Sequence, residues 1–305
     1  MRIENLCYKL TRMKKSIRIL VIVLLFPCIT FAESLDSNVI GEYSYEIIEL
    51  DFLKSRPRLD GLLLDSKGNL LIACEGDSKL VRLSTDGRIT VLMDASDGLC
   101  QPEDIAMDAE GNIFVSDDCA HSIFKLKTDG TVERYLGPKD GLIQPEGMVF
   151  DNRGTLFVAE EEVHVIYKVG QDKIPIIAVD CTSGLVTPED IAMDARNNLY
   201  ILDDDGGCIM RISAQGRAEI LIDRKSGVIE PEAFFLRGTE IFFTDSKLNK
   251  VFLYSLKTGK LRTICDAKKI EGIRGLQGIE VSRDGTIYVS CDKGRILKLF
   301  KKHSF

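Results

Sequence analysis

Residues 101–117 read QPEDIAMDAEGNIFVSD, and this phrase decides the fold because the chain repeats it. It contains Pro-Glu, an apolar run, an Asp-x-x-Gly-Asn turn, a second apolar run and a final acid. Its opening pair recurs, closely or in degenerate form, at Leu59-Asp60, Pro145-Glu146, Pro188-Glu189, Pro231-Glu232 and Leu276-Gln277. Counted from the second residue of each pair, the first four intervals are 43 residues and the last is 45. A repeat of this length indicates a propeller or a solenoid.

Each unit contains four short strand patterns separated by turn residues. In the second unit these patterns are residues 105–107, 113–116, 122–127 and 131–135. Four strands in about 40–45 residues is the size of one propeller blade. The sequence therefore predicts an all-β fold, a six-bladed β-propeller with four-stranded blades.

The two ends of the chain complement each other. The last unit ends after its third strand, residues 295–300, while residues 43–51 (YSYEIIELD) alternate like a strand and precede the first unit. We predict that this N-terminal strand completes the last blade and leaves the ring with no open edge. A β-solenoid is the main structural alternative, but it does not require an additional strand at the opposite end of the chain.

The first residues have the pattern of an export signal. A basic segment that ends at Arg18 precedes the apolar run 19–26, and small residues up to Ala32 suit a signal peptidase. We predict a signal peptide at residues 1–32 and a single propeller domain at residues 33–305. The mature protein is then periplasmic or secreted, and it meets the membrane only through the signal.

Two points about this segment stay open. Translation starts at Met1 or at Met13, since either start leaves a complete signal. A retained membrane anchor is the alternative to cleavage. The apolar run is shorter than the roughly 20 residues of a spanning helix, and Pro27 interrupts it.

Charge limits the class of partner. Without residues 1–32 the chain has 34 Lys and Arg against 46 Asp and Glu, a formal charge of −12. Such a surface repels phosphate backbones, so we expect no nucleic-acid partner. It favours cations, or neutral and cationic ligands. Because closed propellers are often monomers, we expect a monomer.

The units resemble NHL repeats and, more widely, the propellers of the regucalcin/gluconolactonase and strictosidine-synthase-like families. The resemblance covers residues 58–300, and phrases such as the one at 101–117 carry it. It implies the six-bladed architecture. It also implies a divalent metal, which gluconolactonase-like enzymes hold through an Asn or Asp after Pro at the start of an innermost strand, joined by a Glu from another blade.

One set of equivalent residues should meet at the axis. The first strand of each blade is innermost in a propeller, so the residues at its start form a ring at one mouth of the channel. This acidic ring consists of Asp60, Glu103, Glu146, Glu189, Glu232 and Gln277. Crowded carboxylates raise one another's pKa unless a cation compensates. The ring is therefore the candidate ligand-binding site.

The resemblance makes part of this ring a candidate metal site. The post-Pro position is occupied by Glu103, Glu146, Glu189 and Glu232. Donor sets made only of oxygen suit a hard cation such as Ca²⁺. However, no ring position holds Asn and the pattern is nearly uniform. The alternative is a structural role in which each Glu caps its own loop.

A second column of residues ends the second strand of each unit: Cys74, Asp117, Glu160, Asp203, Asp245 and Cys291. We interpret its acids as structural, since an Asp at this position can accept bonds from the following turn. His121 and His164 follow this column and are candidate general bases, with a plain surface-loop position as the alternative.

Seven cysteines follow the signal segment, and an exported protein can form disulfides. Connectors between blades and loops after second strands lie on the same face of a propeller. On this basis we predict the bridges Cys100–Cys119 and Cys181–Cys208.

Two classes of function remain. The first is a binding module that presents the acidic mouth to a small molecule, a glycan or a protein, with or without a divalent cation. The second is a metal-dependent lactonase or esterase, in which the ring holds Ca²⁺ as a Lewis acid and a ring carboxylate serves as base. A metal-free lyase or synthase-like activity is a third option. No catalytic motif identifies a nucleophile.

Overall fold

The computed structural model describes residues 39–40, 42–50 and 57–301, which form six antiparallel sheets. The predicted signal peptide at residues 1–32 lies outside the described residues. Each of the first five blades consists of four consecutive strands. Blade 1 contains β3 (Leu62–Leu64), β4 (Leu70–Cys74), β5 (Lys79–Leu83) and β6 (Ile89–Met93), and blade 2 contains β7 (Pro102–Met107), β8 (Ile113–Asp117), β9 (Ser122–Leu126) and β10 (Val132–Leu136). Blade 3 contains β11 (Pro145–Phe150), β12 (Leu156–Glu160), β13 (Val165–Val169) and β14 (Pro175–Val179), blade 4 contains β15 (Pro188–Met193), β16 (Leu199–Asp203), β17 (Cys208–Ile212) and β18 (Ala218–Ile222), and blade 5 contains β19 (Pro231–Arg237), β20 (Glu240–Asp245), β21 (Lys250–Ser255) and β22 (Lys260–Asp266).

Both ends of the chain contribute to the sixth blade. Its strands are β1 (Val39–Ile40), β2 (Tyr43–Glu49), β23 (Ile279–Val281), β24 (Ile287–Cys291) and β25 (Arg295–Lys301), in the spatial order β1-β2-β25-β24-β23. β2 and β25 are antiparallel, in continuous register from Tyr43 opposite Lys301 to Glu49 opposite Arg295. The prediction of six four-stranded blades, with an N-terminal strand that completes the last one, is therefore confirmed.

Short 3-10 helices occupy the loop after the second strand of blade 1 and the five connectors that follow blades 1 to 5. They are Glu75–Asp77, Ala95–Asp97, Pro138–Asp140, Cys181–Ser183, Arg224–Ser226 and Ala267–Lys269. None of the helices in the described part of the chain has the length and apolarity needed to cross a membrane.

The hydrophobic core is divided into layers between neighbouring blades. One cluster joins Leu71 and Leu80 of blade 1 to Ile105 and Val115 of blade 2, and each of the six interfaces has an equivalent cluster. Because a blade packs against a neighbour on both faces, its second strand is apolar on both faces, and all five residues of β4 are buried. This packing holds the innermost strands, and hence the acidic ring, in fixed positions.

The Asp-x-x-Gly-Asn columns form the predicted turns between first and second strands. Asp108 Oδ1 accepts a bond of 2.8 Å from the Asn112 amide, and Asp108 Oδ2 accepts one of 2.7 Å from Asn112 Nδ2. Gly111 has a φ of 85°, a conformation that strains residues with a Cβ. The residues that recur most regularly in the sequence are thus the residues that form turns.

Candidate functional site

The innermost strands of the blades surround a cavity of 230 Å³ on the axis of the ring. Five of the six predicted site residues line it: Asp60, Glu103, Glu146, Glu189 and Glu232. The structure thus brings these acids together across five blades. Gln277 is also buried but is not among the lining residues, and its carbonyl accepts a bond of 2.7 Å from the Thr244 hydroxyl. The sixth ring position is therefore neutral and lies outside the cavity lining.

Burial and mutual repulsion disfavour ionisation of the ring. Burial raises the pKa of Glu146 well above its ordinary value, and the charge of Glu189 raises it further. Burial likewise raises the pKa of Glu189, with Glu232 as the next contributor. The pKa of Glu232 rises to about 7, mainly through burial. Each of these carboxyl groups therefore holds its proton to a higher pH than an ordinary Glu does, unless a positive charge lies nearby.

One arginine supplies positive charge to one side of the ring only. Arg58 Nη2 lies 3.1 Å from Asp60 Oδ2 and 3.9 Å from Glu103 Oε2, and Arg58 Nε lies 2.6 Å from Glu75 Oε2. The repeat pattern does not point to Arg58 as a site residue. The sequence nevertheless distinguishes it, because no other blade has a basic residue two positions before its ring residue. Blades 1 and 2 thus have a built-in counter-charge.

The ring residues of blades 3, 4 and 5 have no such partner. Within the described part of the chain, no ion pair involves Glu146, Glu189 or Glu232. Two basic residues of blades 4 and 5 are engaged elsewhere, since Arg224 Nη2 donates to the Asp205 carbonyl at 2.9 Å and Lys247 pairs with Glu230 at 3.5 Å. The uncompensated charge is therefore confined to one arc of the mouth.

Three further acids, Asp104, Asp190 and Glu280, each link their blade to the next one. Their role was not predicted from the sequence. Asp104 Oδ2 accepts a bond of 2.7 Å from the Met148 amide, and Asp190 Oδ2 accepts one of 2.8 Å from the Phe234 amide. Glu280 Oε2 accepts one of 3.3 Å from the Leu64 amide. These bonds cross from blade 2 to 3, from 4 to 5 and from 6 to 1.

The sequence does contain a signal for two of these acids. Units two and four read Pro-Glu-Asp, whereas unit three reads Pro-Glu-Gly. A Cβ on Gly147 would lie 2.6 Å from the Cα of Asp190, so only glycine fits where the two inner strands approach. Burial raises the pKa of Asp104 and of Glu280 to about 7. The alternation of Asp and Gly therefore reflects the close approach of neighbouring inner strands.

The second acidic column has the structural role predicted for it. Asp117 accepts bonds from the Cys100, Gln101 and Ala120 amides at 2.7, 3.0 and 2.8 Å. Asp203 accepts the equivalent bonds from Val186, Thr187 and Gly206 at 2.7, 3.0 and 2.8 Å. These acids therefore bind both the following turn and the connector that enters their own blade.

Both candidate histidines lie in turns outside the cavity lining. His121 and His164 have φ angles of 51° and 56°, and both donate their backbone N–H within the turn. The ring Nδ1 of His121 contacts the Ile143 carbonyl. Neither imidazole is among the residues around the 230 Å³ cavity.

One of the two predicted disulfides is present. Cys100 and Cys119 are bonded, with their Cα atoms 5.6 Å apart, whereas Cys181 and Cys208 are free, so the second prediction is wrong. The reason is register. Cys100 lies two residues before Pro102, but Cys181 lies seven before Pro188, inside a 3-10 helix. The position in blade 4 that is equivalent to Cys100 is Val186.

The donor chemistry of the five ring acids that line the cavity fits a hard cation, since their side chains offer only carboxylate oxygens. Their spacing does not complete a coordination site. In the described ranges, no three His, Cys, Asp or Glu side chains are grouped closely enough to hold a metal ion. The site as built is better suited to a cation that reaches the carboxylates through several hydrogen-bond donors.

Comparison with known proteins supports the architecture. Residues 99–126 match the NHL repeat family. No curated protein sequence is significantly similar to the chain. The fold is similar to a gluconolactonase from Xanthomonas campestris, with a TM-score of 0.69 and 13% identity over 85% of this chain and 90% of that one. It is also similar to a catalytically inactive virginiamycin B lyase from Staphylococcus aureus solved with quinupristin (0.67; 16%; 86% and 100%).

A propeller in a nidogen/laminin complex is a third similar structure, with a TM-score of 0.62 and 24% identity over 72% of this chain and 83% of that one. The three solved structures are described as a gluconolactonase, a lyase and a protein complex. At these identities the likeness establishes the six-bladed propeller fold alone. Function has to be argued from the cavity.

Proposed function

We propose that this protein is an exported binding module that takes the positively charged group of a small molecule into its acidic mouth. The observation that carries the proposal is the state of Glu146. Its side chain is only 6% exposed and lines the cavity, yet it has no hydrogen-bond or ion-pair partner among the described residues. Its carboxylate oxygens therefore face the cavity beside the charge of Glu189 without a donor from the described residues, and a positively charged ligand can pair with them there.

Binding and protonation are linked at this site. A cation between Glu146 and Glu189 favours their ionised forms, so it lowers both pKa values and releases protons. An ammonium or guanidinium group also supplies several N–H donors to the carboxylate oxygens. We therefore expect affinity to increase as the pH rises.

The composition of the cavity wall favours binding over catalysis. Its described lining consists of acids, glycines, two alanines and large apolar residues, and it includes no Ser, Cys, His or Lys. A carboxylate alone serves as general base but supplies no electrophile for a lactone or ester carbonyl. The lactonase or esterase alternative therefore depends on a divalent ion held by Glu103, Glu146, Glu189 and Glu232, which would polarise that carbonyl.

Export is supported by the Cys100–Cys119 bond, because disulfides persist in oxidising compartments. N-terminal sequencing of the protein recovered from the periplasm or medium tests this part. A mature terminus after Ala32 is expected, and recovery of the uncleaved chain in the cytoplasm would contradict it.

The binding test uses calorimetry on protein purified without chelator, titrated with a primary amine, a guanidinium salt and CaCl₂ in turn. Glu146→Gln with Glu189→Gln removes two charges from the cavity, and we expect it to weaken binding of the organic cations at least about tenfold. The matched control is Glu110→Gln, which removes a charge from an exposed turn.

Unchanged affinity in the double variant, or no heat from any organic cation, would overturn the proposal. Tight binding of Ca²⁺ in its place, together with turnover in a panel of lactones and aryl esters that is lost in Glu146→Gln, would establish the enzyme alternative.

A further inference from the structure

Three exposed apolar residues lie beside the uncompensated arc of the ring. Ile143, Val186 and Ile229 are 40%, 46% and 41% exposed. Each precedes its ring residue by three positions, a distance of at most about 10 Å along the chain. We call these three side chains the apolar rim.

Hydrogen bonds hold the apolar rim at the face that carries the mouth. The amides of Ile143, Val186 and Ile229 donate to the second-column acids of their own blades, at 3.2, 2.7 and 2.8 Å. Those acids end the second strands, and they lie opposite the prolines that start the innermost strands. The rim is therefore a fixed part of the mouth rather than a free loop.

The apolar rim occurs only where the ring lacks a counter-charge. The equivalent residues of blades 1, 2 and 6 are Pro57, the disulfide-bonded Cys100 and Arg274. Exposed apolar side chains next to buried unpaired acids indicate two adjacent subsites, one for charge and one for an apolar group.

Arg58 shows what kind of charged group the mouth accepts. Its guanidinium contacts a ring acid, Asp60, and an acid that follows the second column, Glu75. In blades 3 and 4 the residues equivalent to Glu75 are Glu161 and Asp204. Their charges act on Glu189, so they lie near the ring there as well. Blades 3 and 4 thus repeat the arrangement around Arg58 without the arginine.

The size of the cavity limits how much of a ligand enters it. Its 230 Å³ is below the ~300–1,000 Å³ typical of pockets that enclose a drug-sized molecule. A charged head group fits, and the remainder of the molecule then lies outside, at the level of the rim.

We infer that the ligand is an amphiphilic organic cation: a single guanidinium or ammonium group enters the mouth beside Glu146 and Glu189, and an apolar body lies on Ile143, Val186 and Ile229. This inference rests on the proposed function and adds the ligand class. It distinguishes the expected ligand from a bare metal ion and from a polyamine, neither of which has an apolar body.

The test is calorimetry with n-alkylguanidinium ions from methyl to hexyl. On the wild-type protein, each added methylene that the rim covers should strengthen binding about threefold to fourfold. The triple variant Ile143→Ser, Val186→Ser, Ile229→Ser should bind methylguanidinium unchanged and lose the dependence on chain length.

The matched control is Ile174→Ser, Ile176→Ser, Ile220→Ser. These isoleucines are 58%, 53% and 60% exposed in or beside the outer strands β14 and β18, and the dependence on chain length should persist without them. If all chain lengths bind equally to the wild type, the inference is wrong and the proposed function stands. If no alkylguanidinium binds, both fail.

Discussion

The two sides of the mouth differ although they are built from the same repeat. We call blades 1 and 2 the tied side and blades 3, 4 and 5 the open side. On the tied side Arg58 neutralises ring acids and a disulfide joins Cys100 to Cys119. On the open side the same ring position carries Glu146, Glu189 and Glu232 without ion pairs among the described residues. The repeated residues therefore build the scaffold, and the residues that depart from the repeat make the two sides of the mouth different.

Further contacts reinforce the tied side. Ser78 Oγ donates to the Cys100 carbonyl at 2.6 Å, and Gln101 Nε2 donates to Glu75 Oε1 at 3.0 Å. Both bonds join blade 1 to the connector that enters blade 2. The tied side therefore has side-chain contacts between its two blades in addition to the Arg58 ion pairs and the disulfide. Three measurements test this contrast, from the largest expected effect to the smallest.

The disulfide should account for the largest difference in stability. It closes a loop with a sequence separation of 19, and the chain-entropy model gives such a loop about 3 kcal/mol. Replacing Cys100 and Cys119 together by Ser should lower the free energy of unfolding by about that amount in urea titrations. The control is Cys181→Ser, at an exposed free thiol of the open side, which should change stability by less than about 0.5 kcal/mol. If the double replacement and Cys181→Ser lowered the free energy of unfolding equally, the disulfide would not account for a difference in stability between the two sides.

Removing a charge should change the free energy of unfolding in opposite directions on the two sides. Arg58→Met leaves Asp60, Glu75 and Glu103 without their cation, and because Arg58 is half exposed we expect a loss of about 2 kcal/mol at neutral pH. Glu146→Gln removes an uncompensated buried charge and should raise stability at the same pH. Arg58→Lys, which keeps the charge, should retain most of the wild-type value. A gain in Arg58→Met would contradict the assignment of Arg58 as the counter-charge.

The smallest expected effect is a dependence of stability on pH that the open side causes. The pKa of Glu232 is raised from 4.5 to about 7 in the folded protein, so its contribution is complete at acidic pH and is lost as the pH rises through about 7. Across neutral pH this one group should lower the free energy of unfolding by about 1 kcal/mol. Thermal melts in mildly acidic and mildly alkaline buffers measure the loss, which Glu232→Gln should reduce and Glu110→Gln should not. A wild-type protein that is more stable in the alkaline buffer would contradict the sign.

The sequence predicts the role of a residue in this contrast when that residue recurs at the same position of several repeat units. Glu103 and Glu146 recur at one spacing, so their convergence on the axis follows from the blade count alone. Arg58 occurs once, and its role depends on a position between two blades that a repeat alignment does not reveal. Cys181 lies in the connector as predicted but five places out of register, and Cys208 begins strand β17 rather than lying in the loop before it, so the two thiols do not meet. Periodicity therefore predicts the fold and the ring, and it misses what breaks the ring's symmetry.

The pairing of β2 with β25 has a consequence for biosynthesis. Tyr43–Glu49 is made before the strands of the first five blades, whereas its partner, Arg295–Lys301, is made after them. The ring therefore closes only after Arg295–Lys301 has left the ribosome, and until then the first blade lacks its neighbour on one face.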